Sequence, residues 1–281
     1  MATLQEYRAR EHWSFSALNQ FINICSLQYA FDRIHRLPRA FTPVSLSFGS
    51  AFHRTLEWLF LTLKDGRRPH ERETRDLFGD LWSRQVREDK HIRYDEGQDQ
   101  NACQRQGADM AAAYLQAVDP DEEILTVNEP FAVPLIDAAG NVLEKPMVGE
   151  FDGRVGKDGQ SIIVDWKTSG RRWPKGQADK SLQPTVYLYA HRLLHGEDAA
   201  LRFDVAVKNK TPVIERHVTT RKQDQFERMV VLVKRVEQMI AAGHFLPNES
   251  SFYCAGCPHQ DACKAWHRAG CRVSVTGKAS T

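Results

Sequence analysis

The sequence predicts an α/β fold, a β-sheet core carrying helical additions, and three observations predict it. Apolar residues recur at helical spacing through residues 1–120. Strand-like runs separated by turn residues follow. The chain then reads helix, strand, strand and helix, an order suited to a sheet flanked by helices. With 281 residues, 42% of them apolar, it can bury one sizeable core. One domain over 1–281 is expected, comprising a mainly helical part (1–120), a sheet core (121–220), a helix with a cysteine segment (221–271) and a tail (272–281).

Ser14 or Ser16 caps a first helix on which Leu18, Phe21, Ile22, Cys25 and Tyr29 fall at helical spacing, ending near Leu37-Pro38. Phe48 to Leu63 reads as an apolar helix opened by Gly49 and Ser50. His53 and Glu57, four residues apart, share one of its faces. Glu71 to Val118 is helical and charged, broken near Tyr94 to Asn101, and reads as an insert. Strands are expected over Val127–Ile136, Val142–Val155 and Ser161–Lys167. The turn between the last two, Lys157-Asp158-Gly159-Gln160, holds an Asp-Gly pair that adopts positive φ readily. A helix over Ser181–His195 stops at Gly196, and strands over Leu201–Val207 and Val213–Val218 follow. Thr219 or Thr220 caps a long helix carrying Phe226, Val230, Val233 and Ile240, ended by Gly243. Val275–Thr281 is a polar tail expected to fray.

Strand alternation places Val148, Glu150, Asp152 and Arg154 on one face of the hairpin, and Ile163, Asp165 and Lys167 on one face of its partner. Asp152 and Asp165 then approach each other. Two carboxylates and an ammonium are expensive to bury without compensation. A divalent cation such as Mg²⁺ or Mn²⁺, which prefers hard oxygen ligands, would provide it. The same residues also read as a solvated hairpin with a structural Asp/Lys pair. The loop after Lys167 holds Arg171, Arg172, Lys175 and Lys180 around Trp173, a composition able to hold a phosphate backbone against a base. Net charge is +2, too small to argue for nucleic acid alone. No run of eighteen apolar residues and no signal-peptide core is present, so no membrane association and a cytoplasmic location are expected. No phosphate-binding Gly-x-x-x-x-Gly-Lys-Ser/Thr loop occurs.

Cys254-Ala-Gly-Cys257-Pro-His-Gln-Asp-Ala-Cys263 lies in a stretch that reads as a polar loop. Thiolates at this spacing chelate a soft metal, and disulfides are disfavoured in the cytosol. The distant Cys25 would complete an iron-sulfur cluster. His267 or Cys271 would instead complete a local zinc site. Cys103 reads as core packing.

Six elements now stand in one order: Ser14-Phe-Ser-Ala-Leu18 with Cys25; Phe48-Gly-Ser-Ala-Phe-His53; Gly149-Glu-Phe-Asp152-Gly-Arg154; Asp165-Trp-Lys167; Gln183-Pro-Thr-Val-Tyr187; and the cysteine run. From Trp13 to Cys263 the chain resembles RecB-like nucleases of the PD-(D/E)XK superfamily. In layout it is similar to iron-sulfur members such as the CRISPR-adaptation exonuclease and the nuclease domain of AddB-type helicase-nucleases. It departs from the pattern at Phe151, where the naming proline would stand, and at Ser26, where many members have proline.

The resemblance implies a restriction-endonuclease-like mixed β-sheet core flanked by helices, with an N-terminal helical region and a C-terminal Fe-S cluster segment. It implies a metal-dependent DNA nuclease, an exonuclease on single-stranded or frayed DNA. His53, Asp152, Asp165 and the Trp166 carbonyl would hold Mg²⁺ or Mn²⁺. Lys167 would act on the attacking water, with Gln183 and Tyr187 lining the site. Cys25, Cys254, Cys257 and Cys263 would hold a [4Fe-4S] cluster, and Arg171, Arg172 and Lys175 would contact DNA. A helicase, recombination or CRISPR-adaptation protein is the implied partner. Two rivals are a zinc-stapled endonuclease and a non-catalytic DNA-binding subunit. The latter would be marked by loss of Asp152, Asp165 or Lys167, and all three are present.

Overall fold

The structure, a computed structural model, describes residues 2–270. Cys271 and the Val275–Thr281 tail lie outside that range. Short helices α1 (Leu4–Arg8), α2 (Phe15–Asn19) and α3 (Ser26–Tyr29) open the chain. The expected single first helix is interrupted. Two π-helical segments, Gln20–Ile24 and Ala30–Ile34, flank Cys25, whose backbone is extended and whose thiol accepts the Gln28 N–H. Gln20 donates to Asp32 and accepts from Arg33, tying the two π turns together around the break. Ile22 is consequently exposed rather than packed.

Strand β1 (Thr42–Pro43) leads into α4 (Val44–Lys64), which starts four residues earlier than Phe48 because Pro43 supplies its boundary. Phe48, Phe52, Leu56, Leu59 and Phe60 bury its apolar stripe. The expected insert is α5 (Glu71–Glu88), β2 (Ile92–Arg93) and α6 (Gln100–Ala117). A Cβ at Gly107 of α6 would lie 1.9 Å from the Phe78 ring, so only glycine lets these two helices close.

The sheet follows in β3 (Glu123–Val133), β4 (Met147–Lys157) and β5 (Gln160–Ser169). The first two differ from the expected bounds. Pro134 and Pro146, lacking N–H groups, bracket the turn region between them. After α7 (Gln177–Lys180), α8 (Gln183–His195) crosses over to β6 (Ala200–Val207), which pairs with β7 (Val213–Thr219). Spatial order is β3-β4-β5-β6-β7. Within this five-stranded sheet only β5 and β6 are parallel, the pair joined by the α8 crossover, so the sheet is mixed; β1 and β2 form a separate parallel pair. Helix α9 (Gln223–Ala241) is capped by Lys222 and Gln225, not by Thr219 or Thr220, because Thr219 is the buried end of β7.

Helices α8 and α9 pack one face through Val186, Phe226 and Val230 against Phe131, Phe151 and Phe203. Helices α4, α5 and α6 pack the other through Phe60, Trp82 and Tyr114 against Val164 and Trp166. A third cluster of Leu27, Phe31 and Trp266 ties the N-terminal turns to α10 (Gln260–Arg268). No helix of the described residues is long and apolar enough to cross a membrane.

Candidate active site

The β4–β5 ladder runs from Lys157/Gln160 to Gly153/Val164 and stops. Beyond that point β4 stays with β3 as far as Met147, and β5 stays with β6 as far as Ser169. The strands fork, and Asp152 and Asp165 stand at the fork. Asp152 Oδ2 accepts the Trp166 backbone N–H at 2.9 Å and lies 3.3 Å from His53 Nδ1, presented by α4. Asp165 is 1% exposed. Its Oδ2 accepts from Gln183 Nε2 at the start of α8. The Lys167 ammonium lies against the buried Oδ1 as a close ion pair. Asp165 and Lys167 thus meet as alternation predicts.

Strand β4 does not keep the expected alternation. Phe151 packs on Tyr187 and His191 of α8. Three residues on, Arg154 reaches Glu129, which His195 of the same helix also reaches. The facing strand carries Asn128 at φ 49, which breaks its regular pleat. Asp152 is thereby freed from the Arg154 face and turns towards α4.

Burial pushes the Asp165 carboxyl up to about 6, with Asp152 adding to the rise and Lys167 opposing it. Burial acts the same way on Asp152, but His53, Lys167 and the Trp166 N–H outweigh it and its carboxyl is lowered. Burial opposes charge on His53, yet the Asp152 carboxylate raises the imidazole above its ordinary value. Glu150 is raised by burial, Asp152 and Glu57. Burial and then the Asp165 and Asp152 charges keep the Tyr187 phenol protonated beside Gln183.

Among the described residues, no three His, Cys, Asp or Glu side chains stand in an arrangement that could hold a metal ion. Each carboxylate is turned to its own partner, Asp152 to His53 and Asp165 to Gln183 and Lys167. The donor set itself fits a hard divalent cation, since two carboxylates and an imidazole come together at the fork.

Arg171, Arg172 and Lys175 are exposed as expected, with Arg172 3.4 Å from Glu215. Trp173 is half-buried, its ring packed against Phe203 and His217. The cysteine run differs from expectation, because Cys263 stands on α10 rather than in a loop. Cys25, Cys254, Cys257 and Cys263 are free thiols that line one cavity of about 470 Å³, together with His267. Burial, and then the neighbouring cysteines, raise the Cys257 and Cys263 thiols. Cys103 is buried in the α-helical layer, as packing predicts. Glu129 lies near the site, as its place on the preceding strand suggests, but sequence reasoning missed its partner His195 and missed Tyr114, which donates to Asp204 and accepts from Trp166. No local spacing marks either.

A scan of family models matches the PD-(D/E)XK nuclease superfamily over residues 12–264. Among solved structures, a candidate exonuclease from Eubacterium rectale aligns over 91% of this chain and 93% of its own, at 14% identity and TM-score 0.53. That likeness is one of fold. SSO0001 aligns over 93% of this chain and 92% of its own at 12% identity, with a TM-score of 0.41 that carries no argument. A search of curated proteins gave no match.

Proposed function

The chain belongs to the PD-(D/E)XK nuclease superfamily, and from that premise we propose that it is a divalent-metal-dependent deoxyribonuclease acting on single-stranded or frayed ends. The observation that carries the reading is the β4–β5 fork, where Asp152, Asp165 and Lys167 meet His53 and Gln183. His53, Asp152, Asp165 and the Trp166 carbonyl would hold Mg²⁺ or Mn²⁺, the imidazole favouring Mn²⁺. When bound, the cation polarises a phosphodiester oxygen and lowers the pKa of a water. Lys167 orients that water and offsets the charge growing on the phosphoryl oxygens. Gln183 holds one Asp165 oxygen, and the ion would share the other with Lys167. Tyr187, kept protonated, lines the wall. Arg171, Arg172 and Lys175 neutralise phosphates beyond the fork.

The preference for ends rests on the resemblance to exonucleases. That four thiols line one cavity supports a [4Fe-4S] cluster, although they do not stand in a ligating arrangement. His267 on the same cavity supports zinc as a second reading. Digestion of linear and circular single-stranded DNA with Mg²⁺, Mn²⁺ or EDTA tests the function. Linear DNA should be degraded only with metal, while circles survive. Cut circles would indicate an endonuclease, and intact DNA under every condition would point to a non-catalytic subunit.

A further inference from the structure

We propose that Tyr114 is a positioning residue for the nuclease centre, holding Trp166 in place through a hydrogen bond anchored in a buried charge network; the inference rests on the nuclease reading above. Trp166 stands between Asp165 and Lys167 and is 1% exposed. Its backbone N–H donates to Asp152 Oδ2 at 2.9 Å. Its indole N–H donates to the Tyr114 hydroxyl of α6 at 3.0 Å, and that hydroxyl donates to Asp204 Oδ2 at 2.6 Å. Asp204 is wholly buried and accepts from Arg202 Nε at 2.8 Å, while Glu122 clamps the far side of the same guanidinium.

Buried charges are costly unless every partner is in place, so such a network has one low-energy arrangement. The indole N–H can only donate, so the Tyr114 hydroxyl accepts from it and gives its own hydrogen to Asp204, which fixes the direction of both hydrogen bonds. The indole also meets the His53 ring edge-on at 5.9 Å. One hydroxyl therefore sets a residue that touches Asp152 through its backbone and His53 through its ring. Phenylalanine would fill the same volume. What it would lose is both hydrogen bonds, to Asp204 and from Trp166, and with the second the orientation of the indole.

The test uses the full chain as Tyr114→Phe, Trp166→Phe and the double variant, measuring calorimetric Mn²⁺ binding without DNA alongside cleavage kinetics. Tyr114→Phe should weaken Mn²⁺ binding by roughly tenfold to a hundredfold, the range for residues supporting metal ligands. It should lower kcat with the KM for DNA unchanged. Trp166→Phe should show the same loss, and the double variant should be no worse than Trp166→Phe, because the hydroxyl acts through the indole. Wild-type protein that neither binds Mn²⁺ nor cleaves DNA would overturn the nuclease reading. Wild-type protein that binds Mn²⁺ while either single variant binds it equally well would overturn the positioning role. Fully additive losses in the double variant would do the same.

Discussion

Burial pushes the Asp165 carboxyl up to about 6, and Asp152 adds to the rise while Lys167 offsets only part of it. A folded-state value above the unfolded value of about 4 means that the fold binds this proton more tightly. The contribution to stability is present at low pH and is lost as pH rises through about 6. A cation competes with that proton, and with the proton on His53, whose value is also raised. The rise in Tm on adding Mn²⁺ should accordingly be larger at pH 7.5 than at pH 5. An equal rise at both would mean that Asp165 is not a ligand. At this scale the sequence was legible where chemistry is local, since Asp165-Trp-Lys167 and Gly149 to Arg154 are short motifs. Tyr114 and His195 were not, because their partners Trp166 and Glu129 lie 52 and 66 residues away and neither sits in a pattern of its own.

The hairpin turn and β5 follow from the sequence, but the fork does not, because alternation in β4 assumes a regular pleat. Asn128 at φ 49 and the shift between Phe151 and Arg154 are tertiary features that no spacing reports. The first helix fails for a similar reason. Its apolar spacing is helical, yet the Gln20–Asp32–Arg33 bonds stabilise two π turns with Cys25 extended between them. In the loop after β5, Arg171 and Lys175 are exposed while Trp173 is engaged by Phe203 and His217. This loop should therefore contribute mainly charge. Reversing Arg171, Arg172 and Lys175 should weaken single-stranded DNA binding and flatten its salt dependence by roughly 0.7 in logarithmic slope per lost contact. Trp173→Ala should leave that slope unchanged. A slope untouched by charge reversal would make the loop merely solvated.

Across the whole molecule, the sheet order and the two helical layers place N-terminal and C-terminal segments side by side, with Leu27 and Phe31 packed on Trp266. The same closure brings Cys25 to the cavity shared with Cys254, Cys257 and Cys263. A cluster joining these four would cross-link most of the chain, and constraints over long loops remove much unfolded-state entropy. Iron, sulfide and zinc analysis after anaerobic purification should find Cys25→Ser as depleted of iron as Cys257→Ser and similarly destabilised, with the iron content of Cys103→Ser and Cys271→Ser unaffected. Colourless protein retaining one zinc in Cys25→Ser would replace the cluster with a local zinc site. The catalytic claim rests on the fork, and there Lys167, paired with Asp165, is the group we assign to the water. The most direct measurement is release of nucleotides from linear single-stranded DNA by wild-type protein and Lys167→Ala in Mn²⁺, with DNA binding followed in parallel. Cleavage by Lys167→Ala should fall by roughly a hundredfold or more, in line with loss of a group acting on the water, while binding persists. Cleavage by Lys167→Ala at the wild-type rate would contradict the assignment of this active site.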